Sequence, residues 1–150
     1  MSDTPKHRKP RERLLDAFGT VFPAHLASSA RLLHAAREAL NGDLDKLFIL
    51  CVILASEDDA AWTGIDFDAI DQMPRMGCTN TASIAHSTGI PRATAQRKLA
   101  EMVRLGWVER RPDTGWSLTP KAVQDLRDLS VETLRYLQAI TTALRKSETS

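Results

Sequence analysis

The sequence predicts a mainly α-helical chain that carries one small β-hairpin. Three observations predict it. Apolar residues recur at steps of three and four over residues 24–40, and at roughly helical spacing over 123–144, the pattern of one helix face. Between those stretches, Gly89 and Pro91 punctuate a run otherwise suited to two short helices. Beyond it, Arg111-Pro112-Asp113-Thr114-Gly115 is rich in turn formers and separates two short segments of strand character. A chain of 150 residues holds one domain, or one domain with an extra helical arm.

Composition narrows the class of function. Apolar residues make up 43% and charged residues 26%, ordinary for a soluble globular chain. A net charge of +1 excludes a uniformly basic protein, but local charge placement still permits nucleic-acid binding. Two cysteines, Cys51 and Cys78, exclude a disulfide scaffold and a four-cysteine zinc site. Cys51 lies in an apolar run and reads as a buried thiol. Cys78 has only Arg75 as a basic neighbour in sequence, a weak basis for a redox sensor. The polar N-terminus is followed by no apolar signal segment, and the longest apolar run, Leu47 to Ala55, is nine residues, too short to span a bilayer. The expected location is the cytoplasm.

Taken in order, residues 1–13 read as a flexible basic arm. Pro5 and Pro10 deter helix, and Lys6, Arg8, Lys9, Arg11 and Arg13 outnumber Asp3 and Glu12. The arm is either a solvated tail or a follower of phosphates. Residues 14–56 read as N-terminal helices for core and dimerisation. Pro23 is suited to open a helix whose apolar stripe is Leu26, Ala30, Leu33, Ala36 and Leu40. Asn41-Gly42 ends that helix and Asp43 caps the next. Leu44 to Ser56 is apolar nearly all round and predicts a central buried helix.

Residues 57–78 read as an acidic loop or short helix. Residues 57–71 carry six carboxylates and no Lys or Arg. Trp62, Ile65, Phe67 and Ile70 are candidates to pack that segment on the core. A calcium loop is excluded, because the acidic order lacks the turn glycine and the terminal Glu. At the other end, residues 119–150 read as a long dimerisation helix and tail. Thr119-Pro120 is an N-cap followed by Pro at the first helical position. No Gly or Pro interrupts residues 121–146. Leu126, Leu129, Leu134, Leu137, Ile140 and Leu144 are the candidate dimerisation stripe, because a helix of about 40 Å exceeds what a small domain needs for its own core.

Residues 79–118 carry the functional signal. Thr79 or Asn80 caps a short helix holding Ile84 and Ala85. Gly89 permits the left-handed backbone of a tight turn, Ile90 fills the corner, and Pro91 opens a second helix that runs to about Leu105. On a helical wheel Ala95, Leu99 and Met102 point inward, flanked by Val103 and Leu105. The exposed N-terminal half offers Arg92, Ala93, Gln96 and Arg97, with Thr94 at one edge and Lys98 toward the flank. That set suits a major groove. Arg donates twice to guanine, Gln pairs with adenine, and an Ala methyl meets a thymine methyl. Gly106 stops the helix, and two short strands flank a turn that holds Thr114. From Arg92 to Arg111 six cations face two anions, net +4 within a chain of +1.

Helix, turn, helix, hairpin is the winged helix-turn-helix order. The runs IAHSTGIPRATAQRKLAEMVRLGWVERR and GWSLTPKAV resemble the winged helix-turn-helix of bacterial transcriptional regulators, most closely the MarR-like group. The resemblance implies a homodimer paired through its terminal helices, with two recognition helices in successive major grooves. It places residues 92–98 on the recognition helix and 110–115 on the wing. It also implies a pocket for a small-molecule effector, whose identity no residue reveals. The wing turn here is short and lacks an Arg at its tip, and Arg110 and Arg111 at its base are the substitutes. The acidic segment before Cys78 is unlike the compact members of the group.

Nothing in the sequence reads as an enzyme or calls for a cofactor. His7, His25, His34 and His86 form no metal-ligand spacing, and no nucleophile elbow or phosphate-binding loop is present. The leading expectation is a dimeric, sequence-specific regulator of double-stranded DNA. Gln96 and Arg97 would read bases beside Arg92, Ala93 and Thr94. Thr79, Asn80, Lys98, Arg110, Arg111 and Thr114 would hold the backbone. The alternatives are a winged-helix interaction module that does not bind DNA, and a plasmid or phage replication or partition protein.

Overall fold

The computed structural model describes residues 9–149. The residues 1–8 of the expected basic arm therefore lie outside the described residues. The chain is mainly helical with a small three-stranded antiparallel sheet, and it divides into two compact units. One unit is Ala36–Ser130. The other holds the described residues up to Ala35 and those from Val131 onward.

The second of these contains α1 (Pro10–Asp16), most of α2 (Phe18–Ala39) and most of α8 (Arg127–Glu148). Residues 10–13, expected as arm, are helical. Pro10 sits in the first turn, where its missing N–H costs nothing, and the Lys9 N–H donates to the Glu12 carboxylate at 3.2 Å. Pro23 does not open a helix but lies inside α2. It is within two turns of the start, so it removes a single hydrogen bond and the helix continues. Phe18 stacks on Phe22 with ring centroids 4.7 Å apart, and His25 shares a hydrogen bond with the Tyr136 hydroxyl on α8 at 2.9 Å. Leu14, Leu15, Phe18, Phe22, Leu26, Leu33, Leu134 and Leu137 are all exposed. These helices bury little of their own apolar surface.

The unit Ala36–Ser130 holds the main core. The end of α2 closes at Asn41 and Gly42, both with positive φ, and the Gly42 N–H reaches back to the Arg37 carbonyl at 2.8 Å. Asp43 then caps α3 (Leu44–Ala55) by accepting from the Lys46 N–H. Helix α3 packs on the rest of the unit through Ile49, Leu50 and Ile53. Its composition predicts burial all round, but Leu44, Phe48 and Cys51 are exposed on its far side. One layer of neighbours covers only one face, and hydrophobicity alone does not say how many layers a helix receives. The apolar surroundings of the Cys51 side chain still push its thiol above the ordinary range.

The acidic segment folds as α4 (Asp59–Trp62) and a short 3-10 helix (Phe67–Gln72), capped by the Asp58 and Asp66 carboxylates. Ile65 and Ile70 pack on the core, whereas Trp62 is exposed. Residues 76–78, expected within an acidic loop or short helix, and Thr79, expected as a possible helix cap, form strand β1 (Met76–Thr79) instead. The strand exists because β3 supplies its partner, and the sheet order is β1-β3-β2. Helices α5 (Thr81–Thr88) and α6 (Arg92–Arg104), the hairpin β2 (Val108–Arg111) and β3 (Gly115–Leu118), and α7 (Pro120–Asp125) complete the unit.

The long C-terminal helix of the sequence reading is interrupted. Thr119 caps α7 as expected, with Pro120 in its first turn, but the backbone leaves helical geometry at Leu126 and resumes as α8. The break lets Ala122, Val123 and Leu126 face the core together with Leu99 and Met102. Leu126, expected in the dimerisation stripe, is therefore buried in the core of its own chain. Among the described residues no helix is long and apolar enough to cross a membrane.

Candidate nucleic-acid interface

The site is built on α5, the turn after it, α6 and the hairpin. Asn80 accepts from the Ser83 N–H at 2.9 Å and starts α5. Gly89, at φ +72°, turns the chain in a conformation that an L side chain resists. Thr88 braces the turn on both sides, donating to the Ile84 carbonyl at 2.7 Å and accepting from the Ile90 N–H at 3.2 Å. Pro91 caps α6, and its extended backbone lets the helix start cleanly at Arg92.

Helix α6 shows the inward face that its spacing predicts. Ala95, Leu99 and Met102 are fully buried against α3 and α5. Val103 and Leu105, expected to flank that face from inside, are exposed. At about 80° from its centre they lie past the edge of the packed surface. Arg92, Ala93, Gln96, Arg97, Ala100 and Arg104 are exposed, and Thr94 is half-buried. On β2, Arg110 and Arg111 are exposed opposite Trp116 and Gly115, with Thr114 exposed in the turn between the strands. Trp116 is tied down by its indole N–H, which donates to the Thr81 hydroxyl at 3.0 Å. That bond joins the hairpin to the start of α5.

Two of the expected backbone-binding residues are placed elsewhere. Thr79 is buried in β1, because that segment is a paired strand and not a free cap. Lys98 is turned inward to an ion pair with Asp43 and its side chain is only 14% exposed. Sequence spacing gave no sign of that partner, which stands 55 residues away. Asn80 remains exposed at the helix start, and Arg110, Arg111 and Thr114 remain on the surface.

The Asp43–Lys98 pair belongs to a larger network that the sequence did not reveal. The Lys46 ammonium lies 3.5 Å from Asp43 and 3.1 Å from Glu101, and Arg97 donates to Glu101 at 2.8 Å. Burial works to raise the Asp43 pKa, but the hydrogen bond from Lys98 and the charges of Lys98 and Lys46 outweigh it and hold the carboxyl below its usual range. The hydrogen bond from Lys46 lowers that of Glu101, with help from Arg97 and Lys98. Elsewhere Glu109, one of the two anions of the basic stretch, is paired with Arg75. The spare positive charge therefore concentrates on Arg92, Arg97, Arg104, Arg110 and Arg111.

The depressed Asp43 carboxyl makes a pH prediction. A group whose native pKa lies below its unfolded value stabilises the fold above the unfolded value and loses that contribution as pH falls through the native one. Asp43→Asn keeps a capping oxygen but removes the charge. The stability difference between wild type and Asp43→Asn is expected to be full at pH 7. It should shrink once pH drops through the usual carboxylate range near about 4 and vanish below the native value. Urea unfolding at a series of pH values measures it. A difference that does not change with pH would assign no charge role to Asp43.

Residues 70–112 match the family model of the IclR helix-turn-helix domain. Searches of the curated proteins and of the solved structures gave no match. The matched segment runs from the 3-10 helix through β1, α5 and α6 to the end of β2, so it contains every exposed residue of this site except Thr114. In this chain residues 70–112 form a helix-turn-helix similar to the IclR type, a winged helix-turn-helix family of transcription regulators.

Proposed function

We propose that the protein is a sequence-specific regulator of transcription that binds double-stranded DNA as a homodimer, with α6 in the major groove. The observation that carries this reading is the outward face of α6. Its N-terminal half presents Arg92, Ala93, Gln96 and Arg97 to solvent, and the exposed Arg110 and Arg111 stand on the hairpin that follows. Gln96 and Arg97 read base edges, with Arg92, Ala93 and Thr94 beside them. Arg110, Arg111, Thr114 and Asn80 hold the phosphate backbone, which positions the helix without reading sequence. The protein acts here as a binding protein and not as an enzyme. The exposed apolar residues of α1, α2 and α8 support the dimer, in the arrangement of MarR-like regulators, because surfaces of that character are normally covered by a partner.

The division of labour is testable. Arg97→Ala should loosen discrimination at one base pair by about 1–3 kcal/mol. The double substitution Arg110→Ala with Arg111→Ala should weaken cognate and random duplexes alike and flatten the salt dependence by about two phosphate equivalents. Titrations at two salt concentrations on duplexes selected from genomic fragments measure both. Equal losses on cognate and random DNA for all variants would contradict base reading by α6. Absence of binding at low salt would favour a winged-helix interaction module instead.

A further inference from the structure

We infer that Glu101 and Lys46 are positioning residues that hold the Arg97 guanidinium in place for base readout. The inference rests on the reading of α6 as a recognition helix and adds residues that do not touch DNA. The two oxygens of Glu101 are divided between partners: Oε1 accepts from Arg97 Nη1 at 2.8 Å, and Oε2 faces Lys46 Nζ at 3.1 Å. Lys46 also lies 3.5 Å from Asp43, which in turn holds Lys98. Five charged groups thus alternate in sign from Lys98 to Arg97, and their exposure rises only at the end. The side chains of Lys98, Asp43 and Lys46 are 14–17% exposed, that of Glu101 is 26% and that of Arg97 is 61%.

An exposed Arg–Glu pair one helical turn apart is too weak to order a long side chain by itself. Here the carboxylate is not free to swing, because Lys46 on α3 holds its other oxygen from within a half-buried site. The anchor comes from a separate helix that also packs in the core. One Arg97 nitrogen is engaged by Glu101, and the rest of the planar fork remains free to donate twice to a base edge. A side chain restrained before binding loses less freedom when the duplex arrives. Lys46 has a second effect: it neutralises Glu101, which would otherwise place an anion on the recognition helix beside phosphates.

The experiment uses the full chain and a duplex that the wild type selects from a random library, with single base-pair substitutions along it. Arg97→Ala first identifies the base pair that Arg97 reads. Glu101→Ala and Lys46→Met are expected to reduce discrimination at that same base pair by about three- to tenfold, the effect of freeing one restrained side chain. Discrimination elsewhere should not change, and the Arg97→Ala, Glu101→Ala double variant should be no worse there than Arg97→Ala. Lys46→Arg, which keeps the charge and the reach, should restore wild-type behaviour. Unchanged discrimination in Glu101→Ala and Lys46→Met, or an even loss on every duplex, overturns the inference and leaves DNA recognition intact. An Arg97→Ala variant with no base-specific effect overturns it in the same way. A wild type that selects no duplex overturns the DNA reading and the inference together.

Discussion

Gly115→Ala is expected to destabilise the wing unit by about 3 kcal/mol. Gly115 opens β3 at φ +84°, where an L side chain is strained. A methyl group there would also overlap the Thr79 carbonyl oxygen and lie 2.9 Å from its carbon. That obstacle is backbone, so no rotamer change relieves it. Relief requires β1 to move away from β3. That movement would disturb the buried Ser117 hydroxyl, which donates to the Gly77 carbonyl at 2.8 Å, and the Trp116 bond to Thr81. Gly64→Ala is the control, because Gly64 has a similar positive φ of 83° but open space around it. It should cost only the backbone strain, about 1 kcal/mol. Urea unfolding of the two variants separates clash from strain, and equal losses would show that the strand contact does not matter. Gly115 pairs with Arg111, so the same substitution is expected to weaken DNA binding through the hairpin.

Leu137→Glu is expected to convert the proposed dimer to a monomer and to lower affinity for a two-half-site duplex by about 100-fold or more. Leu137 is 53% exposed in the single chain, and Leu134, one turn earlier on the helix, is 45% exposed. A polar residue at such a position costs the fold of one chain little. In a symmetric interface the carboxylate would be buried without a partner in each copy, at a cost of several kcal/mol. Once the copies separate, the second half-site no longer benefits from the first. Sedimentation and duplex titration of the same samples test this. A variant with unchanged mass and unchanged affinity would remove α8 from the dimer interface. Lower thermal stability with unchanged mass would place Leu137 in its own chain's packing.

How far the sequence could be read varied by residue. The inward face of α6 was legible, because Ala95, Leu99 and Met102 repeat at the spacing of an α-helix and need no distant information. The caps at Asp43 and Thr119 were legible for the same reason, and that of α5 was narrowed to Thr79 or Asn80: a side chain reaching three residues along its own chain is a local event. Strand β1 was not, since its partner β3 lies about forty residues later and four residues of mixed character carry no period of their own. The break at Leu126 carries neither Gly nor Pro, and only the core that Ala122, Val123 and Leu126 enter together accounts for it.

The site divides in the same way. Which residues of α6 face outward follows from composition and helical pitch along a single segment. Whether each of those side chains is free is a different matter. Lys98 and Arg97 are adjacent in type and position, yet one is drawn inward to Asp43 and the other, paired with Glu101, stays at the surface. The difference arises because α3 crosses α6 with Asp43 and Lys46 at its N-terminal end. Helical periodicity is set by short-range backbone geometry and can be written in adjacent residues. The pairing of charges depends on which helices meet in space, and that is decided only when the core packs.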